Sequence, residues 1–358
     1  MTAGKPDLSP HDPVTRRIVI LTEGHSEPIA AKTAACVLRY GRHPVVALLD
    51  SQQVGKTAQQ LLDVGGDVPV VGRLADAAEA TTLMIGIAPA GGRIPGNWRP
   101  VILEAIRTGM EVISGLHEFL SDDPEFAAAA KRHGATLIDV RKNRERDVAE
   151  RQNIRDACLR IHTVGQDCSV GKMVVAVELT RALRAAGHYA KFVATGQTGI
   201  MIEGDGCPVD CVVADFINGA VEKQVLAHQH HEILLIEGQG SLAHPRYSAV
   251  TLGLLHGCIP QGMVLCYEVG RRSVQGMPHV PLKSLDELRR FYEHAASMMF
   301  PSQVIGVAMN SRLQTAGAAD EERERVRREL GLPVCDVLRH GPSELVDAVL
   351  RLQRQIMV

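Results

Sequence analysis

Aromatic side chains are scarce in this chain: they make up 3% of its 358 residues, with a single tryptophan. That is poor material for a surface that stacks nucleic-acid bases or grips a carbohydrate. A dominant charge is also missing, because 39 Lys and Arg face 41 Asp and Glu and the formal net charge is −2. No basic field is available to hold a nucleic acid. The densest charge run, Asp320-Glu321-Glu322-Arg323-Glu324-Arg325, mixes signs at helical spacing and reads as a solvated helix face. No apolar run approaches a membrane span, and Met1 to Asp12 lacks the apolar core of a signal peptide, so a cytoplasmic chain with no membrane partner is expected. The eight cysteines contain no CxxC pair, which favours reduced thiols over a disulfide framework. Chemistry on a small molecule remains.

The length and a hydrophobic content of 45% fit two domains, each able to bury a core. Short apolar runs alternate with helical stretches. Strands are expected at Arg17 to Leu21, Val45 to Leu49, Leu83 to Ala88, Glu111 to Ser114 and Thr136 to Asp139. Helices are expected at Pro28 to Tyr40, Trp98 to Thr108 and Pro124 to His133. Uninterrupted apolar strands separated by helices indicate a parallel sheet covered on both faces, so residues 1–150 read as a Rossmann-like α/β domain. The polar segment Arg141 to Asp147 breaks the pattern and marks the junction. In residues 151–358 a second parallel sheet is expected, with strands at Arg160 to Val164, Lys191 to Ala194, Glu232 to Ile236, Gly262 to Tyr267 and Val304 to Met309. Helices are expected there at Lys172 to Ala186, Asp286 to Phe300 and Ser343 to Met357.

Between the first of those strands and its helix lies Gly165-Gln166-Asp167-Cys168-Ser169-Val170-Gly171-Lys172-Met173. The spacing G-x-x-x-x-G-K is that of a phosphate-binding loop, whose backbone N–H groups and lysine cradle an anion at a helix N-terminus. The Ser or Thr that would follow the lysine and ligate Mg²⁺ is replaced by Met173, so the loop keeps its cradle and loses a metal ligand. Further on, Glu237 ends an apolar strand ahead of Gly238-Gln239-Gly240, where the carboxyl ends of α/β strands line a ligand crevice. Asn310 ends another strand, where its amide either reads the edge of a base or completes a turn.

Other clusters carry less. Cys207 and Cys211 with His228, His230 and His231 offer soft ligands, but at CxxxC spacing, and no metal site is expected from them. Cys168, at a helix N-terminus, is either a candidate for acyl-cysteine chemistry or a small residue that fills the loop. Gly55-Lys56-Thr57 lacks the earlier glycine of a phosphate loop and reads as a turn entering a helix.

The phosphate loop, strand-ending Glu237-Gly238 and Asn310 together resemble the dethiobiotin-synthetase-like branch of P-loop proteins. Over nearly its full length the chain more closely resembles a family once described only as a domain of unknown function and represented by D-glutamate N-acetyltransferase. The stretches that carry this are the loop with Met173, Thr195-Gly196-Gln197-Thr198-Gly199, Asp215-Phe216-Ile217-Asn218-Gly219-Ala220, Glu237-Gly238-Gln239-Gly240-Ser241-Leu242 and His244-Pro245. In the first domain they are Gly86-Ile87-Ala88, Gly91-Gly92, Ser114-Gly115-Leu116-His117 and Asp139-Val140-Arg141.

That resemblance implies a Rossmann-like domain, a P-loop domain, and transfer of an acetyl group from acetyl-CoA to the amine of an acidic amino acid. Coenzyme A carries phosphates that the loop from Gly165 to Met173 would grip without hydrolysis. Candidate bases for the amine are Glu237, Asp215, His244 and His117, and the glycine-rich backbone at 238–240 is a candidate oxyanion donor. Candidate cations for the substrate carboxylates are Lys172, Arg141 and Arg246. The alternatives are an ATP- and Mg²⁺-dependent kinase, carboxylase or ligase, and a nucleotide-binding protein without turnover. The apolar content makes a homo-oligomer an expectation.

Overall fold

Strands buried on both faces have no polar side to show, and the runs read as strands behave that way: Ile18, Val19, Ile20 and Leu21 are all at most 2% exposed. The computed structural model describes residues 16–87 and 91–356. It divides the chain into two units, one of Met1–Asn143 with Gln197–Cys211 and one of Arg144–Gly196 with Val212–Val358.

The first unit runs β1 (Ile18–Leu21), α1 (Lys32–Tyr40), β2 (Val45–Leu49), α2 (Ala58–Leu62), β3 (Val70–Val71), β4 (Thr82–Ile85), α3 (Arg99–Arg107), β5 (Glu111–Ser114), α4 (Pro124–His133) and β6 (Leu137–Asp139). All six strands are parallel, in the order β3-β2-β1-β4-β5-β6. Local chemistry sets the helix ends. Asp123 accepts from the backbone N–H groups of Glu125 and Phe126 to start α4, and left-handed Gly134 stops it. The expected strand from Leu83 to Ala88 ends at Ile85, and Ala88 lies outside the described residues.

The second unit runs β7 (Leu159–Gly165), α5 (Lys172–Ala185) and β8 (Ala190–Val193); α6 (Gln197–Glu203) then belongs to the first unit. The chain continues with α7 (Ile217–His228), β9 (Ile233–Ile236), α8 (Ser248–Cys258), β10 (Gly262–Glu268), β11 (Ser273–Val274), β12 (Met277–Pro281), α9 (Leu285–Ser297), β13 (Gln303–Asn310), α10 (Ala316–Leu330), β14 (Val334–Cys335) and α11 (Ser343–Ile356). The expected end of α11 at Met357 lies outside the described residues. The sheet is again parallel, in the order β14-β13-β10-β7-β9-β8, and β11 and β12 form a separate antiparallel pair. Strand order reverses at β7, the position where an α/β sheet opens a crevice at its carboxyl edge. One face packs Val164, Met263, Leu265 and Val307 of the sheet against Leu255, Leu288 and Tyr292 of the helices. Each such aliphatic side chain contributes about 1.5–3 kcal/mol on burial.

The junction falls earlier than residue 150 because the segment after Asn143 is anchored on α7. The Glu222 carboxylate accepts from the N–H groups of Glu150 and Arg151 at 2.8 and 2.9 Å, and Lys223 pairs with Glu145 and Asp147. The excursion of residues 197–211 into the first unit has its own contacts. The Thr33 and Thr198 hydroxyls lie 2.9 Å apart, and Arg42 pairs with Glu203 at 3.2 Å.

Candidate functional site

The phosphate loop leaves β7 at Gly165 and enters α5 at Lys172, the strand-loop-helix context its spacing requires. Its helix is capped by Gly171, which has no side chain to bond the first turn, at an end where the dipole favours an anion. Lys172 is 6% exposed, and its Nζ donates to the Asp167 carbonyl at 2.8 Å, folding the cation over the loop. Met173 and Cys168 are half-buried, Val170 is buried and Ser169 is exposed.

Asp167 reads in the sequence as a cofactor ligand, yet its carboxylate is turned inward and fully buried. It accepts from the N–H of Cys168 at 2.7 Å, from Arg271 Nη1 at 2.9 Å and from the N–H of Gln275 at 2.8 Å. Arg271 also donates to the Cys168 carbonyl at 2.7 Å and pairs with Glu268, at the end of β10, at 3.1 Å. Two further groups brace the loop. Tyr292 Oη donates to the Gly165 carbonyl at 2.9 Å, and Ser241 Oγ donates to the Gln166 carbonyl at 3.1 Å. Sequence reasoning missed Arg271 and Tyr292 as parts of this site, since neither lies in a motif.

His244 is 1% exposed beside Asp167; its Nδ1 accepts from the N–H of Arg246 at 3.1 Å, and Nε2 stands 3.8 Å from Asp167 Oδ1. That burial suits it to supporting the loop and not to meeting an amine. Glu237, at the end of β9, is 5% exposed and accepts from the N–H groups of Thr195 and Gly196 at 2.9 and 3.0 Å, so it organises the turn after β8. Gly238 follows because nothing larger fits: a Cβ there would stand 1.6 Å from the Thr163 carbonyl oxygen and 3.1 Å from Lys172 Cδ. Asn310 does end β13, with its Oδ1 accepting from the N–H of Arg312 at 3.3 Å, the turn-completing alternative. Asp215, a candidate base, sits exposed on a short 3-10 turn ahead of α7. Arg246 is exposed and has no carboxylate partner among the described residues.

In the first unit, His117 and Arg141 follow the carboxyl ends of β5 and β6, neighbours that pair Ser114 with Asp139. Arg141 does not present a free fork for a substrate: its Nε and Nη2 contact Asp210 Oδ2 at 3.1 and 3.0 Å, and Nη1 donates to the Gly115 carbonyl. His117 Nε2 lies 3.7 Å from the same Asp210 oxygen, and its Nδ1 lies 3.2 Å from Cys211 Sγ. The His117 backbone N–H donates to the Gly92 carbonyl, and Gly92, at φ 63°, leaves the room that a Cβ 2.5 Å from the imidazole would take. His117 is 47% exposed, and burial, followed by the Arg141 charge, lowers its pKa from the ordinary value. Burial, then Asp210, pushes the Cys211 thiol up to about 11. Cys211, weighed in the sequence beside Cys207 and the histidines at 228–231 and set aside there as a metal ligand, has His117 and Asp210 as its neighbours. His230 and His231 instead lie against Tyr189, which stacks on His231 at 4.1 Å, and His228 faces those two imidazoles. All eight cysteines are unbridged, and among the described residues no helix is long and apolar enough to cross a membrane.

Residues 147–346 match the family described as a domain of unknown function (DUF1611_C) P-loop domain, and residues 51–143 match a domain of unknown function (DUF1611_N) Rossmann-like domain. A protein of Tritonibacter scottomollicae named D-glutamate N-acetyltransferase is 40% identical over 277 residues, covering 77% of this chain and 83% of its own. One of the same name from a Pseudoalteromonas species is 37% identical over 268 residues, covering 75% and 80%. The crystal structure of a DUF1611 family protein from Anabaena variabilis is similar across 94% of this chain and 100% of that one, at 37% identity and a TM-score of 0.89.

Proposed function

The chain belongs to the DUF1611 family, and on that premise we propose that it is an N-acetyltransferase that transfers acetyl from acetyl-CoA to the amine of D-glutamate. The observation that carries this reading is the 40% identity, over 77% of the chain, to a protein named for that reaction. The loop is compatible with it. The first turn of α5 and Lys172 are suited to hold phosphates of coenzyme A, and Met173 in place of a hydroxyl costs nothing where no Mg²⁺ has to be ligated. Bound acetyl-CoA would supply an acetyl group already activated as a thioester.

The amine needs a base, and of the four candidates His117 fits best. It is solvent-accessible, has Cys211 Sγ 3.2 Å from Nδ1 and Asp210 Oδ2 3.7 Å from Nε2, and burial, then the Arg141 charge, lowers its pKa, which favours the neutral form a base needs. Glu237 and His244 are buried in backbone contacts, and Asp215 stands apart on an exposed turn. Arg141 is assigned to holding Asp210 in place beside the imidazole. We extend the proposal to a cytoplasmic homo-oligomer, supported by exposed Leu252, Phe291 and Met298 on and beside α8 and α9. Light scattering on the purified chain tests the assembly.

Ligand-dependent thermal stabilisation tests the main reading, because a ligand that binds only the folded chain raises its apparent stability. Acetyl-CoA without Mg²⁺ is expected to stabilise, Mg-ATP is not, and D-glutamate with acetyl-CoA is expected to yield N-acetyl-D-glutamate. Lys172→Ala should abolish the stabilisation. Stabilisation by Mg-ATP alone, with no acetylated product, would overturn the reading in favour of ATP-dependent chemistry.

A further inference from the structure

The cluster in the first unit does more than present a base. The two nitrogens of one imidazole are addressed by two different groups, Cys211 Sγ at 3.2 Å from Nδ1 and Asp210 Oδ2 at 3.7 Å from Nε2. A nucleophile, a base and an acid that orients the base, in that sequence, form the triad that recurs on unrelated folds where a side chain becomes an acyl acceptor. The carboxylate is itself held: two guanidinium nitrogens of Arg141 contact Asp210 Oδ2, while the third donates to the Gly115 carbonyl beside His117. The Asn143 amide donates to the Cys211 carbonyl at 3.0 Å, fixing the backbone that carries the thiol. Cys211 is partly exposed, as are Cys36 and Cys168, whereas Cys158, Cys207, Cys258, Cys266 and Cys335 are buried; of the three, Cys211 is the one with an imidazole nitrogen at 3.2 Å. The same three residues are also a candidate soft-cation grouping, but the Arg141 cation on the shared carboxylate opposes a divalent ion.

We propose that Cys211 is an acyl-accepting nucleophile, with His117 as its general base and Asp210, held by Arg141, as the residue that positions the imidazole. This rests on the acyl-transfer reading above, and makes the reaction a two-step exchange through an acyl-thioester on the protein. In the first step Sγ bonds to the acyl carbonyl carbon while His117 takes the thiol proton. The bond from that carbon to its leaving group breaks, and the leaving group departs with the proton from His117. In the second step the acceptor amine bonds to the same carbon, the bond to Sγ breaks, and the proton lost by the amine passes through His117 to restore the thiol. No electrons are gained or lost.

The test uses the full chain and two acyl donors. With p-nitrophenyl acetate and no amine, a burst of nitrophenolate equal to the protein concentration is expected, together with one added acetyl group by intact mass, mapped to the Cys211 peptide. Cys211→Ser and Cys211→Ala, checked for an unchanged melting temperature, should lose the thioester. His117→Gln should slow the burst by about 10²–10⁴-fold, the usual contribution of a general base. Asp210→Asn should retain the label but shift the pH limb of the burst to lower pH, because the carboxylate raises the His117 pKa. No burst, or a label that stays elsewhere when Cys211 is replaced, overturns the proposal. Acetyl-CoA then separates the two readings. N-acetyl-D-glutamate still formed by Cys211→Ala overturns the nucleophile and leaves the transferase standing. A Cys211 burst with p-nitrophenyl acetate, but no product and no label from acetyl-CoA, supports the nucleophile and removes the acetyl-CoA reading.

Discussion

Tyr292→Phe removes one oxygen atom from the brace behind the phosphate loop. The ring is fully buried on α9, so phenylalanine keeps its packing, and the change removes the contacts of one hydroxyl: Tyr292 Oη to the Gly165 carbonyl at 2.9 Å, the Leu242 N–H to Tyr292 Oη at 3.0 Å, and the neighbouring Ser241 side chain. Burial pushes the phenol up to about 12, so the hydroxyl remains a donor throughout the working pH range. Leaving a buried donor or acceptor unsatisfied costs about 1–3 kcal/mol. Since about 1.4 kcal/mol is a factor of ten, amides in this region should exchange with solvent roughly 5- to 150-fold faster. Native-state hydrogen exchange read by mass spectrometry is the right assay, because it reports opening segment by segment and needs no two-state assumption for a chain with two units. Peptides spanning Leu242 and the end of β7 should lose protection, while those from β1 and β2 should not. If the ring's hydrophobic burial were all that mattered, the variant would be neutral. Unchanged exchange around Leu242, or an equal loss in both units, would refute the reasoning.

Asp167→Asn removes the fully buried one of the two carboxylates that Arg271 pairs with and leaves Glu268 at 3.1 Å, so it should cost about 1–3 kcal/mol in urea unfolding of the second unit and loosen the loop. Gly238→Ala forces a Cβ to 1.6 Å from a strand carbonyl that cannot move away, and should cost about 3 kcal/mol or abolish soluble expression, whereas Gly317→Ala, in the first turn of α10 with open space around it, should stabilise by up to about 1 kcal/mol in the same assay. His162 is wholly buried, with Nδ1 3.2 Å from the Ile236 carbonyl, and burial lowers its pKa to about 4. Unfolded, it titrates near about 6.5, so between those values the unfolded chain holds a proton that the folded chain does not. Stability is therefore complete above about pH 6.5 and falls by roughly 3 kcal/mol toward pH 4, a slope that urea midpoints should show and that His162→Gln should flatten.

Much of the sheet framework was legible because its signals are local. Uninterrupted apolar runs such as Ile233 to Ile236 declare a strand buried on both faces, and Asp123 with Gly134 brackets α4 almost to the residue. Elements without such signals were lost. The α8 segment is apolar nearly all round and shows no helical stripe, and β3, β11 and β14, each two residues long, are too short to carry a period. The excursion of residues 197–211 into the first unit leaves no local mark, since its reason is contact with residues far away, such as Thr33 and Arg42.

The chain by itself determined two parallel α/β sheets and the place of a phosphate loop between β7 and α5, because periodicity and the G-x-x-x-x-G-K spacing act within a few residues. It also placed Glu237 at a strand end, where α/β folds put their chemistry, while His117 and Arg141 entered through the family resemblance. Only the tertiary structure decided what those side chains do. Asp167 turns from a ligand into a buried brace once Arg271 reaches it across 104 positions of sequence, and Arg141 closes on Asp210 across 69. The pairing of His117 with Cys211 spans 94 positions. Hydrogen bonds and ion pairs form between atoms a few ångströms apart in space, and a sequence states that distance only for residues that are neighbours along the chain.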